Sequence, residues 1–229
     1  RQMCIRDRVI FHFYGFRMLF AVAGVATLLT LYLISTISFP FRAPEGEAPA
    51  FSFDRFFLVK GFPLFINLVL VNIVVGLLLS TIHAPHFFAL MLSGFVVAAM
   101  AEKYVFANAE LKSEATVGCI CFALAIVLLL FRMQQSAIIM AAFLTAFGVG
   151  LMGSRFLLFF IKLTKHCQRG TSQSTYFLGW ETGLMSGITL GLYIGNRSEV
   201  LVVALIVVTF AFLLYNYIIH PWYLHNKNR

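Results

Sequence analysis

The sequence predicts an all-helical integral membrane protein with seven spans, and three observations lead there. Hydrophobic residues fill 61% of the 229 positions and charged residues only 11%, whereas a soluble domain carries about a quarter charged residues. Uncharged runs recur along the whole chain, most of them near the about 20 residues that cross the hydrocarbon of a bilayer as one helix. They are too long and too uniformly apolar for the alternating strands of a membrane barrel. A soluble enzyme, a disulfide scaffold and a disordered chain are excluded by the same arithmetic.

Taken in order, residues 1–8 (RQMCIRDR) begin with Arg and resemble translated adapter sequence, so they are set aside as non-native. The chain is expected to be an N-terminally truncated fragment. Residues 9–41 hold a first span at 17–39. Residues 42–60 (RAPEGEAPAFSFDRFFLVK) carry Pro44, Gly46, Pro49, Glu45 and Glu47, the composition of a linker. Residues 61–219 then read as six tightly connected helices. The uncharged stretch 61–101 is long enough for two spans, and His83, Ala84, Pro85 and His86 mark a turn in its middle, giving helices at 61–82 and 85–103. Further spans fall at 115–132, 136–162, 174–195 and 199–219, and residues 220–229 form a short basic tail.

Charge orients this arrangement. On one face lie Arg42, Arg55, Lys60, Lys103, Lys112, Lys162, Lys165, Arg169, Lys227 and Arg229; outside the first eight residues, the other face has Arg17, Arg132 and Arg197. Basic loops stay on the cytoplasmic side, so the net charge of +8 reports orientation and not nucleic-acid binding. The expected location is a bacterial cytoplasmic (inner) membrane with the C-terminus inside.

Two charges interrupt otherwise apolar spans, Arg155 and Glu181. Each lies 13 residues from Gln168 in the connection between their helices, which puts them at similar depth on antiparallel neighbours. Ionised groups inside a membrane pair by default and mark functional sites, so the two are expected to form an ion pair, structural or gating, or a protonatable coupling site. Asn67 and Asn72 share the 61–82 helix about 140° apart, so one is expected on a solute path and the other against a neighbouring helix. Thr145 is a weaker candidate for that path, because a helical threonine often bonds its own backbone.

Gly179, Gly183, Gly187, Gly191 and Gly195 recur every fourth residue and form a stripe along which another backbone can approach closely. Packing within the six-helix unit and a sliding interface both fit that stripe. Cys119 and Cys121 point about 200° apart on a helix, and Cys4 and Cys167 are isolated, so no disulfide or metal framework is expected. His83 and His86 lack the further ligands a zinc site needs. Asn196-Arg197-Ser198 matches a glycosylation sequon in a turn close to the membrane, and Trp222 with Tyr223 fits an interfacial aromatic belt.

A linker followed by six helices and a basic tail resembles the C-terminal half of a major facilitator superfamily transporter. The stretch 165–195 (KHCQRGTSQSTYFLGWETGLMSGITLGLYIG) is similar to that superfamily's loop between helices ten and eleven and its glycine-rich helix eleven. The resemblance implies that 17–39 is helix six and that 61–219 holds helices seven to twelve, with helix eleven where the two halves meet. Twelve spans need about 240 residues, so it also implies that a missing N-terminal half belongs to the same chain. The superfamily's Gly-x-x-x-Asp-Arg-x-Gly-Arg-Arg pattern falls outside this sequence, and the place of its weaker copy, 101–114 (AEKYVFANAELKSE), departs from it. No coupling residue is carried over.

The function expected on these grounds is secondary active transport of a small solute by alternating access, with protons as a candidate coupling ion and no cofactor. A membrane-embedded enzyme acting on a lipid-linked substrate is an alternative, for which Glu45, Glu47, Asp54, Glu102, Glu110 and Glu114 offer scattered carboxylates without a metal motif. A seven-helix receptor is another; the last span has no lysine for a retinal Schiff base.

Overall fold

The computed structural model describes residues 2–36, 56–82, 85–106, 111–131, 134–164 and 168–226, which are helical with short connections. The protein is all-α. Its helices are α1 (Gln2–Thr36), α2 (Phe62–Thr81), α3 (Pro85–Tyr104), α4 (Leu111–Phe131), α5 (Gln135–Leu163), α6 (Arg169–Ile194), α7 (Arg197–Leu214) and α8 (His220–Asn226). The chain divides into two units, residues 1–50 and 51–229. Most of the 42–60 linker and the side chains of His83 and His86 lie outside the described residues.

The first unit holds α1, which starts at Gln2 and so takes in nearly all of the residues set aside above. Its 20–36 segment is apolar and exposed. The hydroxyls of Thr27, Thr30, Ser35 and Thr36 each donate to a carbonyl three or four residues earlier, which hides polar atoms that lipid cannot satisfy.

In the second unit, segments Val59–Thr81, Phe87–Tyr104, Lys112–Phe131, Gln135–Leu163 and Arg197–Asn226 are long and apolar enough to cross a membrane. Pro63 and Pro85 occupy first turns, where a missing N–H is harmless. Before α2, the backbone is strapped to α6: Thr175 Oγ1 accepts from the Leu58 N–H at 2.7 Å, and Ser174 Oγ donates to the Phe56 carbonyl at 2.8 Å. Gly195 ends α6 at φ +69°, a left-handed cap that suits glycine, and Asn196 caps α7 by accepting from the Ser198 N–H.

The C-terminal rod is longer than the sequence suggests. A π-turn at Tyr215–Ile219 joins α7 directly to α8, so the helix continues through most of the expected tail. The widened turn precedes Pro221, whose missing N–H and ring would otherwise break the hydrogen-bond ladder. Tyr223 is correspondingly buried, its ring 4.7 Å from that of Phe159.

Close backbone approaches set the helix directions. Side chains at Gly183, Gly187 and Gly191 of α6 would strike Val69 and Asn72, then Ile73 and Gly76, then Ser80 of α2. Four residues on one helix are answered by four on the other, so α2 and α6 run parallel. In the same way Gly94 of α3 sits on Phe143 and Ala146 of α5, and Ala98 on Gly150, a second parallel pair. Helices α4 and α5 are antiparallel, with Gly118 against Met152 and Gly148 against Cys121.

These seams repeat one plan. Exchanging α2 with α5, α3 with α6 and α4 with α7 turns the α2/α6 seam into α5/α3 and the α2/α7 seam into α5/α4, while α4/α7 maps onto itself. The correspondence holds residue by residue: Ile73, Gly76 and Ser80 match Phe143, Ala146 and Gly150, each 70 positions on, as Gly187 and Gly191 match Gly94 and Ala98. Three helices per half is an odd number, so the two halves run in opposite directions.

Candidate functional site

Arg155 has a different partner from the one expected. Its Nε and Nη2 both donate to the Glu114 carboxylate across the α4/α5 seam, and this is the one salt bridge among the described residues. Glu114 is 0% exposed and the Arg155 side chain 13%. The fork of a guanidinium matches a carboxylate in two places at once. Glu114 also lies in the first turn of α4, where the helix dipole favours negative charge.

Glu181 is exposed on α6, and the ion pair expected between it and Arg155 is corrected by this geometry. Depth was not the obstacle. Gly153 faces α6, where the Tyr176 hydroxyl donates to its carbonyl at 3.0 Å. Two residues turn a helix by about 200°, so Arg155 points away from α6 and towards α4. The same distance argument applied to the other turn finds the true partner: Gln134 lies 20 residues after Glu114 and 21 before Arg155. A span expected from 115 places Glu114 in a loop, whereas α4 begins at Leu111 and carries Glu114 in its first turn.

The asparagines and Thr145 are enclosed in seams of the unit. Asn67 Nδ2 donates to the Ala211 carbonyl of α7 at 2.9 Å, and Asn72 Nδ2 to Leu68 of its own helix, also at 2.9 Å. Both are buried, and the Oδ1 of each has no hydrogen-bond partner. Thr145 is buried and donates to the Ala141 carbonyl at 2.7 Å.

The glycine stripe serves contact within the unit for four of its five members. Gly179, Gly183, Gly187 and Gly191 are buried, with Gly179 against Phe65 and Leu68 and the others against the α2 backbone and side chains described above. Gly195 is exposed and acts as the helix cap.

The hydrophobicity pattern does not disclose an aromatic floor near the ion pair. Phe156 and Phe159 of α5 lie 6.1 and 6.3 Å from the Tyr215 ring. The hydroxyls of Tyr215 and Tyr223 are buried without a hydrogen-bond partner. Two tyrosines a turn or two from Pro221 in an otherwise apolar run are the only sequence signal for this cluster.

The outward face of α6 mixes polar with apolar residues. Glu181, Thr182 and Thr189 are exposed on it, and α6 is not among the segments apolar enough to cross a membrane by composition. No protein-family profile, curated protein or solved structure matches the chain.

Proposed function

We propose that the protein is a secondary transporter, or the larger part of one, moving a small solute by alternating access as major facilitator transporters do. The observation that carries this reading is the inverted correspondence between α2–α4 and α5–α7. Inverted repeats recur in secondary transporters, because two similar halves of opposite direction give two conformations related by exchange of roles. The polar outward face of α6 supports the reading further: a carboxylate halfway along a helix suits an aqueous path better than lipid.

On this reading the protein lies in a cytoplasmic membrane. The N-terminal ends of α2, α4 and α6 face inwards with Lys60, Lys103, Lys112, Lys162 and Arg169, whose positions at one end of the unit follow from the helix directions. A preceding helical half then covers the α6 face, and protons or another ion drive the solute. The Arg155–Glu114 pair stays a fixed brace between α4 and α5.

A test needs no knowledge of the solute. Thr182→Cys, in a chain without its four native cysteines, is offered a membrane-impermeant maleimide in right-side-out and in inverted vesicles. Labelling from both sides is the expected result, and labelling from one side alone, or from neither, overturns alternating access at this face.

A further inference from the structure

We infer that the α4/α7 seam holds a phospholipid, its phosphate on Arg197 and one acyl chain along the seam. Arg155 and Arg197 present the same edge of the guanidinium to different surroundings. Arg155 donates from Nε and Nη2 to the Glu114 carboxylate, whereas Nε and Nη2 of Arg197 are buried without a hydrogen-bond partner. That fork fits the paired oxygens of a carboxylate or a phosphate. The neighbouring carboxylate, Glu199, lies about 200° around the helix and accepts from the Asn196 side chain at 2.7 Å; it makes no ion pair with Arg197. A charged group left without an acceptor is costly away from water. Arg197 opens the segment Arg197–Asn226, which is long and apolar enough to cross a membrane, and the side chain as a whole is only part-buried. It therefore stands where hydrocarbon gives way to headgroups, and the oxyanion present at that depth is a lipid phosphate.

The surface below Arg197 distinguishes a lipid from a free anion. Arg197 heads a stripe with Leu201, Ala204 and Val208, spaced as one face of a helix and buried, and α7 packs on α2 and α4. Farther along, Cys119, Ile120 and Ala123 of α4 and Val208, Thr209 and Phe212 of α7 line a groove of about 140 Å³, room for a hydrocarbon about the size of benzene. Its polar atoms are engaged: the Thr209 hydroxyl donates to the Leu205 carbonyl at 2.8 Å, and the Cys119 thiol lies 4.0 Å from the Met152 sulfur. Val208 is 11 residues from Arg197, about 16 Å along the axis, and half the hydrocarbon of a bilayer is about 15 Å thick. An acyl chain hanging from a phosphate on Arg197 reaches the groove with its end.

The inference does not depend on the transporter reading, since it needs only that α7 spans a bilayer. The full chain, delipidated in detergent, is offered dioleoyl phosphatidylglycerol, dioleoylglycerol, which lacks the phosphate, or inorganic phosphate, and retained lipid is measured by native mass spectrometry. Phosphatidylglycerol is expected to bind the native protein saturably, and about tenfold or more weaker to Arg197→Gln, the effect of losing a charge-assisted hydrogen bond. Arg197→Lys keeps part of the affinity. Ala123→Leu and Thr209→Phe, which fill the groove from either helix, weaken binding severalfold, and dioleoylglycerol binds the native protein no better than phosphatidylglycerol binds Arg197→Gln. Unchanged unfolding temperatures of the delipidated variants show that the losses are local. Equal affinity in Arg197→Gln overturns the inference. Loss in Arg197→Gln with no loss in either groove variant, or displacement of the lipid by inorganic phosphate, shows an anion site without an acyl chain and overturns it as well.

Discussion

The α4/α5 and α2/α6 seams solve the same problem with opposite means. Across α4/α5 a carboxylate and a guanidinium meet in two hydrogen bonds, with the glycines Gly118 and Gly148 deeper in the same seam. Across α2/α6 no charge is involved, and four glycines let one helix lie against another for most of its length. Lipid is as apolar as leucine, so neither seam gains from the hydrophobic effect; packing and polar contacts hold helices together in a bilayer. A charged seam is strong at one point and fails when that point is lost. A glycine seam is weak everywhere and fails only when something is added.

The largest effect is therefore expected at the ion pair. Glu114→Gln leaves Arg155 without a counter-charge and should lower stability by about 3–5 kcal/mol, whereas the double change with Arg155→Met should recover most of that loss. Unfolding in detergent for all four proteins measures the coupling, and additive losses would show that the pair does not brace the seam. Next, Gly187→Ala puts a methyl group against the Ile73 backbone and should cost about 1–3 kcal/mol. Gly170→Ala, where an added Cβ meets nothing within 4 Å, should leave the same assay unchanged or slightly improved. Equal responses at the two glycines would break the contrast.

Smaller effects sharpen it. Tyr215→Phe removes a buried hydroxyl that has no partner and should stabilise by up to about 1 kcal/mol. A clear loss would mean that the hydroxyl is bonded in the working protein. Glu181→Gln, on an exposed face, should move stability by less than about 0.5 kcal/mol. A loss there as large as that of Glu114→Gln would mean that Glu181 also braces a seam.

Span positions were legible because burial in lipid writes itself as apolar length: the expected ranges 61–82, 85–103 and 136–162 differ from α2, α3 and α5 by no more than one residue at either end. Helix ends near charges were less so. Lys112 and Glu114 read as loop, because a sequence does not show that a carboxylate has an arginine to meet. Pro221 hides a continuing helix, since the π-turn that accommodates it leaves no mark in composition. At the site, the four-residue period of the glycines announced a close contact, but nothing in that period names α2 as the neighbour. For Arg155 the depth was readable and the direction around the helix was not, and direction chose Glu114 over Glu181.

The parallel pairing of α2 with α6 also fixes an order of events in biosynthesis. Residues that touch across this seam are more than 100 positions apart, as with Ile73 and Gly187. At translation rates of about 5–20 residues per second, α2 waits roughly 6–23 s for its neighbour. During that interval Asn67 and Asn72, both fully enclosed in the finished unit, lack the α7 and α6 neighbours they have there. The helix that waits is among the most apolar spans, and the one that arrives late is too polar to count as a span by composition. The more polar helix is thus made only after the apolar surface of α2 that its glycines pack against.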